Sequence, residues 1–198
     1  TLIQAAQRGD LEAFNLLTLR YQNLLFSIAL RLLNDEDAAA DAVQDALISA
    51  FRRFNTFRGD SLRSWLARVV INACYDELRR KRRQYSVPLD QLNTEGDEIE
   101  TSYWLIDPQA DPELQFESSE LEIAIQRSLD KLPAVYRLTL VLVDIQGLSY
   151  EEAASAVGVP VGTIKSRLAR ARLQMQESLQ MAGELLPASY RIELPLSV

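Results

Sequence analysis

The chain has 198 residues, 47% apolar and 25% charged, enough for one or two small globular domains. No apolar run approaches a membrane span and no signal peptide is read at Thr1, so the expectation is a cytoplasmic protein without membrane insertion. It has no histidine and one cysteine, Cys74, which fits a reducing cytoplasm and leaves no internal disulfide, no zinc site and no imidazole base; the carboxylates are paired by no motif, so no catalytic residue, metal or cofactor is expected and the chain does not read as an enzyme. The net charge of −7 argues against a nucleic-acid partner only as a total, because over a Debye length of about 8 Å local charge decides.

In chain order the residues read as helices. Asp10 can cap a helix with an apolar stripe of Phe14, Leu17, Tyr21, Leu24, Leu25, Ile28 and Leu32. Asn34-Asp35 breaks the chain, and the next helix buries Ala39, Val43, Ala46, Leu47, Ala50, Phe51 and Phe54. Its start is acidic, with Asp35, Glu36, Asp37, Asp41 and Asp45 and no base through residue 50. Asp41, Gln44, Asp45 and Ile48 stand at i, i+3, i+4 and i+7, on one face opposite the apolar one. Arg58-Gly59-Asp60-Ser61 is a turn, with Ser61 a good N-cap. A long third helix from about Leu62 to Arg83 buries Trp65, Leu66, Val69, Val70 and Ala73. Trp65 therefore reads as core before it reads as a stacking platform. Residues 51–85 hold ten basic groups against three acidic ones. Asn72, Asp76, Arg79 and Arg83 follow one face, beside Arg80, Lys81 and Arg82. Such a run suits phosphates, or a solvated helix end.

Residues 86–117 change character. They carry Pro88, Pro108 and Pro112, nine acids from Asp90 to Glu117 and no base. They read as a linker, either a solvated tether or, with Tyr103-Trp104-Leu105-Ile106 as an anchor, a mimic of nucleic acid in a basic channel. Helices are expected to resume near Ser118, with a stripe of Leu121, Ile125, Leu129 and Leu132. Pro133 fits a first helical position, followed by a stripe of Val135, Leu138, Leu142 and Ile145 that ends at Gly147. Ser149 and Glu152 fit a capping box, Gly158 ends that short helix and Pro160 blocks its continuation. A last helix runs from about Val161 to Met181, carrying Lys165, Arg167, Arg170 and Arg172 with no acid before Glu177. A capped short helix, a glycine turn and a longer basic helix make the sequence form of a helix-turn-helix. The tail 183–198 shows no clear element.

The run GLSYEEAASAVGVPVGTIKSRLARAR resembles the promoter-reading C-terminal region of the extracytoplasmic-function group of bacterial sigma-70 factors. AAQRGDLEAFNLLTLRY resembles that family's opening helices. Asp37 to Phe54 resembles its polymerase-binding helix, and FRGDSLRSWLARVVINACYDELRRKRR resembles the region that reads and opens the −10 element. The blocks cover about residues 1–85 and 118–180, in the family's order.

The resemblance implies an all-α fold of two small helical domains joined by a long acidic linker. These are a region 2 bundle (1–85), the linker (86–117), a region 4 helix-turn-helix (118–182) and a tail (183–198). It implies a dissociable subunit that binds core RNA polymerase through the β′ clamp helices and the β flap, reads the −10 and −35 elements and melts promoter DNA, with an anti-sigma factor as a common partner. Carried over by position, Asp41, Gln44, Asp45 and Ile48 would meet the clamp. Arg58, Gly59, Asp60, Ser61 and Asn72 would form the pocket for a flipped −10 base, with Arg79, Arg80 and Arg83 at the DNA backbone and Asp76 suited to orient an arginine. Lys165, Ser166, Ala169 and Arg170 would face −35 base edges, and Thr163, Arg167 and Arg172 the phosphates. Many family members carry Arg or a larger side chain at positions 165 and 169, so the exact −35 sequence stays open. Two other readings remain: a dimeric regulator using the same helix-turn-helix, and a degenerate module that only holds polymerase or an inhibitor.

Overall fold

A computed structural model describes residues 2–58, 61–85 and 112–181. Gly59 and Asp60 of the expected −10 pocket, most of the expected linker and the tail lie outside them. Among the described residues the chain is helical without strands, as expected, and no helix is long and apolar enough to cross a membrane.

The first half is built from α1 (Leu2–Gln7), α2 (Leu11–Leu19), α3 (Gln22–Leu33), α4 (Glu36–Arg53), a 3-10 turn over Phe54–Thr56, and α5 (Leu62–Tyr85). Asp10 caps α2 by accepting from the Ala13 amide at 3.0 Å. The single helix expected through Leu32 is two helices, because the chain turns at Arg20–Tyr21. Its stripe is nonetheless inward at Phe14, Leu17, Leu25, Ile28 and Leu32. Asn34 takes a left-handed φ of 50°, which Asn tolerates, and Asp35 then caps α4 through the Ala38 amide at 3.0 Å.

α4 buries its small residues Ala39, Ala42, Val43, Ala46 and Ala50. Alanine lets α3 and α5 approach it closely, and both pack on it. Ser61 caps α5 through the Ser64 amide at 3.2 Å. Leu66, Ala67, Val70, Ile71 and Cys74 form the buried stripe of α5. Trp65 is half-buried, edge-on to Phe54 at 5.6 Å and Phe57 at 5.5 Å.

The second half comprises α6 (Pro112–Lys131), α7 (Ala134–Leu140), a π-turn over Val141–Ile145, α8 (Tyr150–Val157) and α9 (Val161–Met181). α6 begins at Pro112, ahead of Ser118, with a proline at the helix position that needs no amide. Pro133 is the cap of α7 rather than its first residue. The expected stripe Val135–Leu138–Leu142–Ile145 does not hold. Val135 and Ile145 are exposed, whereas residues 138–142 are consecutively buried. Burial follows the enclosed middle turn, and the wider π-turn, with the Gln146 amide donating to the Val141 carbonyl at 2.9 Å, rotates Ile145 outward.

The α8 boundaries are set as the sequence indicates. Ser149 and Glu152 form a reciprocal capping box, and Gly158 closes the helix at φ 78°. α9 packs on α6, α7 and α8 through Ile164, Leu168, Ala171 and Met175.

Asp35 links the α4 cap to α5, because Lys81 reaches it at 2.8 Å. The Ala38 amide, and then Lys81, lower its pKa below the ordinary carboxylate value. A carboxyl lowered by folding adds stability that is present above its unfolded value and lost as the pH falls through the folded one. Asp35→Asn, which keeps a capping acceptor, should therefore lower Tm at neutral pH. The Tm-against-pH curves of the two proteins should converge on acidification below about pH 3.9.

Candidate functional site

Three exposed surfaces carry the chemistry the sequence singles out. On α4, Asp41, Gln44, Asp45 and Ile48 are all exposed on one face, Ile48 as a large apolar residue at 44%. The opposite face is the alanine seam on α3 and α5, so core packing fixes which way this acidic-amide face points. Exposed carboxylates around a bare isoleucine suit a basic partner helix, with charge steering and the apolar side chain anchoring.

α5 presents Asn72, Asp76, Arg79, Arg80 and Arg83, all exposed. Arg79 pairs with Asp76 at 2.5 Å and Arg80 with Glu77, each one helical step apart. Asp76 thus orients an arginine in this structure. These pairs are solvent-exposed on the arginine side and hold the guanidinium groups loosely enough to be exchanged for phosphate. Arg58 is exposed ahead of α5. Ser61 is engaged: its hydroxyl donates to Glu152 Oε1 at 3.0 Å, and it accepts from the Ser64 amide and hydroxyl.

α9 exposes Lys165, Ser166, Ala169, Arg170 and Arg172, with Thr163 and Arg167 half-buried. Its inward side is Ile164, Leu168 and Ala171, so the basic residues stand away from the core. Ser166 turns its hydroxyl back to the Thr163 carbonyl at 3.0 Å. Lys165 lies 5.6 Å above the Tyr150 ring, and Arg170 donates to the Tyr136 hydroxyl at 3.4 Å. Arg172 is held in a fork by Asp144, with Nε to Oδ2 at 2.9 Å and Nη2 to Oδ1 at 2.7 Å. That hydrogen-bonded pair raises the guanidinium's already high pKa and keeps the group charged.

Sequence reasoning singled out none of the partners Tyr136, Asp144 and Tyr150. The π-turn places Asp144, and no local pattern announces that turn. Nor did it single out the seam between the halves, where Ser61 and Arg63 meet Glu152 and Arg68 donates to the Ser155 and Ala156 carbonyls. Glu152 was legible only as a cap.

A family model for Sigma-70 region 2 matches residues 17–84, and one for Sigma-70, region 4 matches residues 122–175. The chain is similar to the RNA polymerase sigma-H factor of Pseudomonas aeruginosa, 36% identical over 181 residues, covering 90% of this chain and 92% of that protein. It is equally similar to the ECF RNA polymerase sigma-E factor of Escherichia coli strain K12, at 36% identity over 90% of this chain and 93% of that one. Among solved structures it resembles the sigma factor RpoE in complex with the anti-sigma factor NepR from Bartonella quintana, with a TM-score of 0.62, 29% identity and coverage of 85% and 98%. It also resembles CnrH in complex with the cytosolic domain of CnrY, with a TM-score of 0.65, 25% identity and coverage of 91% and 96%.

The α8 cap orients the whole basic helix, since α8 and α9 share one short turn. Ser149→Ala should cost about 1 kcal/mol of local stability. Hydrogen exchange should show faster exchange of the first α8 amides with little change in α3 and α4.

Proposed function

The chain belongs to the extracytoplasmic-function group of the sigma-70 family of transcription initiation factors, and from that premise we propose how its surfaces divide the work of initiation. As a sigma factor it binds core RNA polymerase, recognises −10 and −35 promoter elements and promotes melting. In our reading residues 1–85 serve polymerase binding and the −10 element, 86–117 form the acidic linker, 118–182 serve the −35 element and 183–198 form a tail. Asp41, Gln44, Asp45 and Ile48 dock on the β′ clamp helices, and region 4 contacts the β flap.

Residues Arg58–Ser61 with Asn72 take up a flipped −10 base, whose pairing edge is open to hydrogen bonds once it leaves the stack. Arg79, Arg80 and Arg83 hold the strand's phosphates, a contribution without sequence preference. On α9, Lys165, Ser166, Ala169 and Arg170 meet base edges in the major groove, while Thr163, Arg167 and Arg172 position the backbone. The fork with Asp144 holds the Arg172 side chain in place, which supports a positioning role at a phosphate over base reading.

The protein works without catalysis of its own, in the cytoplasm, and an anti-sigma factor is a further partner. The two solved relatives in anti-sigma or cytosolic-domain complexes support that last element.

The observation that carries the reading is the coincidence of three exposed faces of distinct chemistry with two matched sigma regions in one chain. Run-off transcription with sigma-free core polymerase and a promoter library tests it, and failure to initiate at every promoter would overturn it. Gln44→Ala with Asp45→Ala should weaken core binding by roughly tenfold, or about 1.4 kcal/mol, with the fold intact. Titration of labelled chain with core polymerase measures this. Arg170→Ala should relax preference at one −35 position by about 1–3 kcal/mol. A uniform loss over all −35 sequences would make Arg170 a phosphate contact.

A further inference from the structure

Three cations of α9 rest on partners from elsewhere in the second half. Arg172, given a phosphate role above, is forked by the Asp144 carboxylate at 2.9 and 2.7 Å. Lys165 and Arg170, given base-reading roles, meet tyrosines instead. The Lys165 ammonium stands 5.6 Å from the centre of the Tyr150 ring, and the Arg170 guanidinium donates to the Tyr136 hydroxyl at 3.4 Å. Among the described residues neither of these two cations is ion-paired to a carboxylate.

Both tyrosines are fit to serve as fixed posts. Each is half-buried with its ring packed against the apolar core, Tyr136 near the start of α7 and Tyr150 as the first residue of α8. A tyrosine turns about only two side-chain torsions, so a ring seated on the core costs little more entropy to hold still. The reciprocal cap of Ser149 and Glu152 fixes the helix end from which the Tyr150 ring projects.

Lysine is the opposite case, a point charge on a flexible four-carbon stem. A ring face attracts the Lys165 ammonium electrostatically and occupies none of its three donors in a conventional hydrogen bond. Those donors stay free for acceptors on a base edge. A carboxylate in the same place would consume them, neutralise the charge and repel the DNA backbone. The Tyr136 hydroxyl likewise accepts from one corner of Arg170 and leaves the rest of the guanidinium's five N–H groups for a guanine edge.

We propose that Tyr136 and Tyr150 are positioning residues for −35 readout: each holds one base-reading cation of α9 in place without neutralising it, Tyr150 through its ring face for Lys165 and Tyr136 through its hydroxyl for Arg170. The inference rests on the −35 assignment made above for what the cations touch, and not for where they lie. Sequence preference then depends on two residues outside the recognition helix. Their roles are chemically separable, because the ring matters at position 150 and the hydroxyl at position 136.

The test uses the holoenzyme, full-length chain with core polymerase, transcribing barcoded templates that share one −10 element used by the parent and carry a randomised −35 element. Lys165→Ala and Arg170→Ala first identify the base position that each cation reads. Tyr150→Leu keeps an apolar side chain on the core and removes the ring. It should relax preference about threefold at the Lys165 position and leave the Arg170 position unchanged. Tyr150→Phe keeps the ring and should retain the parent's preference. Tyr136→Phe removes one hydroxyl and should relax preference about threefold at the Arg170 position alone. In a Lys165→Ala background, Tyr150→Leu should have no further effect at the Lys165 position.

Helicity by circular dichroism should match the parent throughout, and Tyr136→Phe decides the matter even where Tyr150→Leu unfolds the domain. Unchanged preference in the tyrosine variants, or a uniform loss of activity over all −35 sequences, overturns the positioning role. Preference lost as fully in Tyr150→Phe as in Tyr150→Leu overturns the ring attraction. If neither Lys165→Ala nor Arg170→Ala relaxes any base position, the −35 assignment falls, and the role of the tyrosines with it.

Discussion

Five aromatic rings tie the first half of the molecule together. Phe14 of α2 meets Phe51 and Phe54 at 5.2 Å each, and Phe54 in turn meets Phe57 and Trp65. The rings span α2, the end of α4, the 3-10 turn and α5, mostly edge to face, the arrangement their quadrupoles favour. Gln7 adds α1 by donating to the Phe57 carbonyl at 2.8 Å. This contact fixes the rotation of α4 and α5 about their axes. With the rotation set, Asp41, Gln44, Asp45 and Ile48 point out from one helix and Asn72, Arg79 and Arg83 from the other. The functional surfaces are therefore by-products of how the apolar faces lock.

The second half reaches the same end by different means. Its stops are sharper: a reciprocal cap at Ser149 and Glu152, a left-handed glycine at Gly158, a proline at Pro160. Ala153, Ala154 and Ala156 are buried, and so small a face lets α9 close against α8. Ser128 and Ser178 satisfy one another in the interior at 3.1 Å, so α6 and α9 meet without an unpaired hydroxyl. A stiff frame of this kind suits a helix whose base-reading side chains must arrive in a groove in a set order.

Glu152 shows how one residue serves two levels of structure. One carboxylate oxygen completes the cap of α8 at the Ser149 amide, and the other accepts from Ser61 on α5. A local helix signal and a long-range contact thus share a side chain. The sign of the local charge follows the same economy: α4 begins acidic and α5 ends basic, and Lys81 reaches Asp35 where the two meet. The net charge of −7 conceals surfaces of both signs on one small chain.

Much of this was legible without coordinates. The helices, the caps at Asp10, Ser61 and Ser149, the turn at Gly158 and the outward faces of α4, α5 and α9 all follow from spacing and capping chemistry acting over a few residues. The break at Arg20–Tyr21 and the π-turn at Val141–Ile145 were not, because neither carries a proline or glycine to mark it and each is settled by what packs around it. Nor could the sequence place Arg172 on Asp144, Lys165 over Tyr150, or Arg63 and Arg68 on α8. Those partners are brought together by the rotation and approach of whole helices, a quantity that depends on summed packing rather than on any short run of residues. Local periodicity determined which faces exist, and tertiary packing alone decided which of their charged groups meet a partner within the chain.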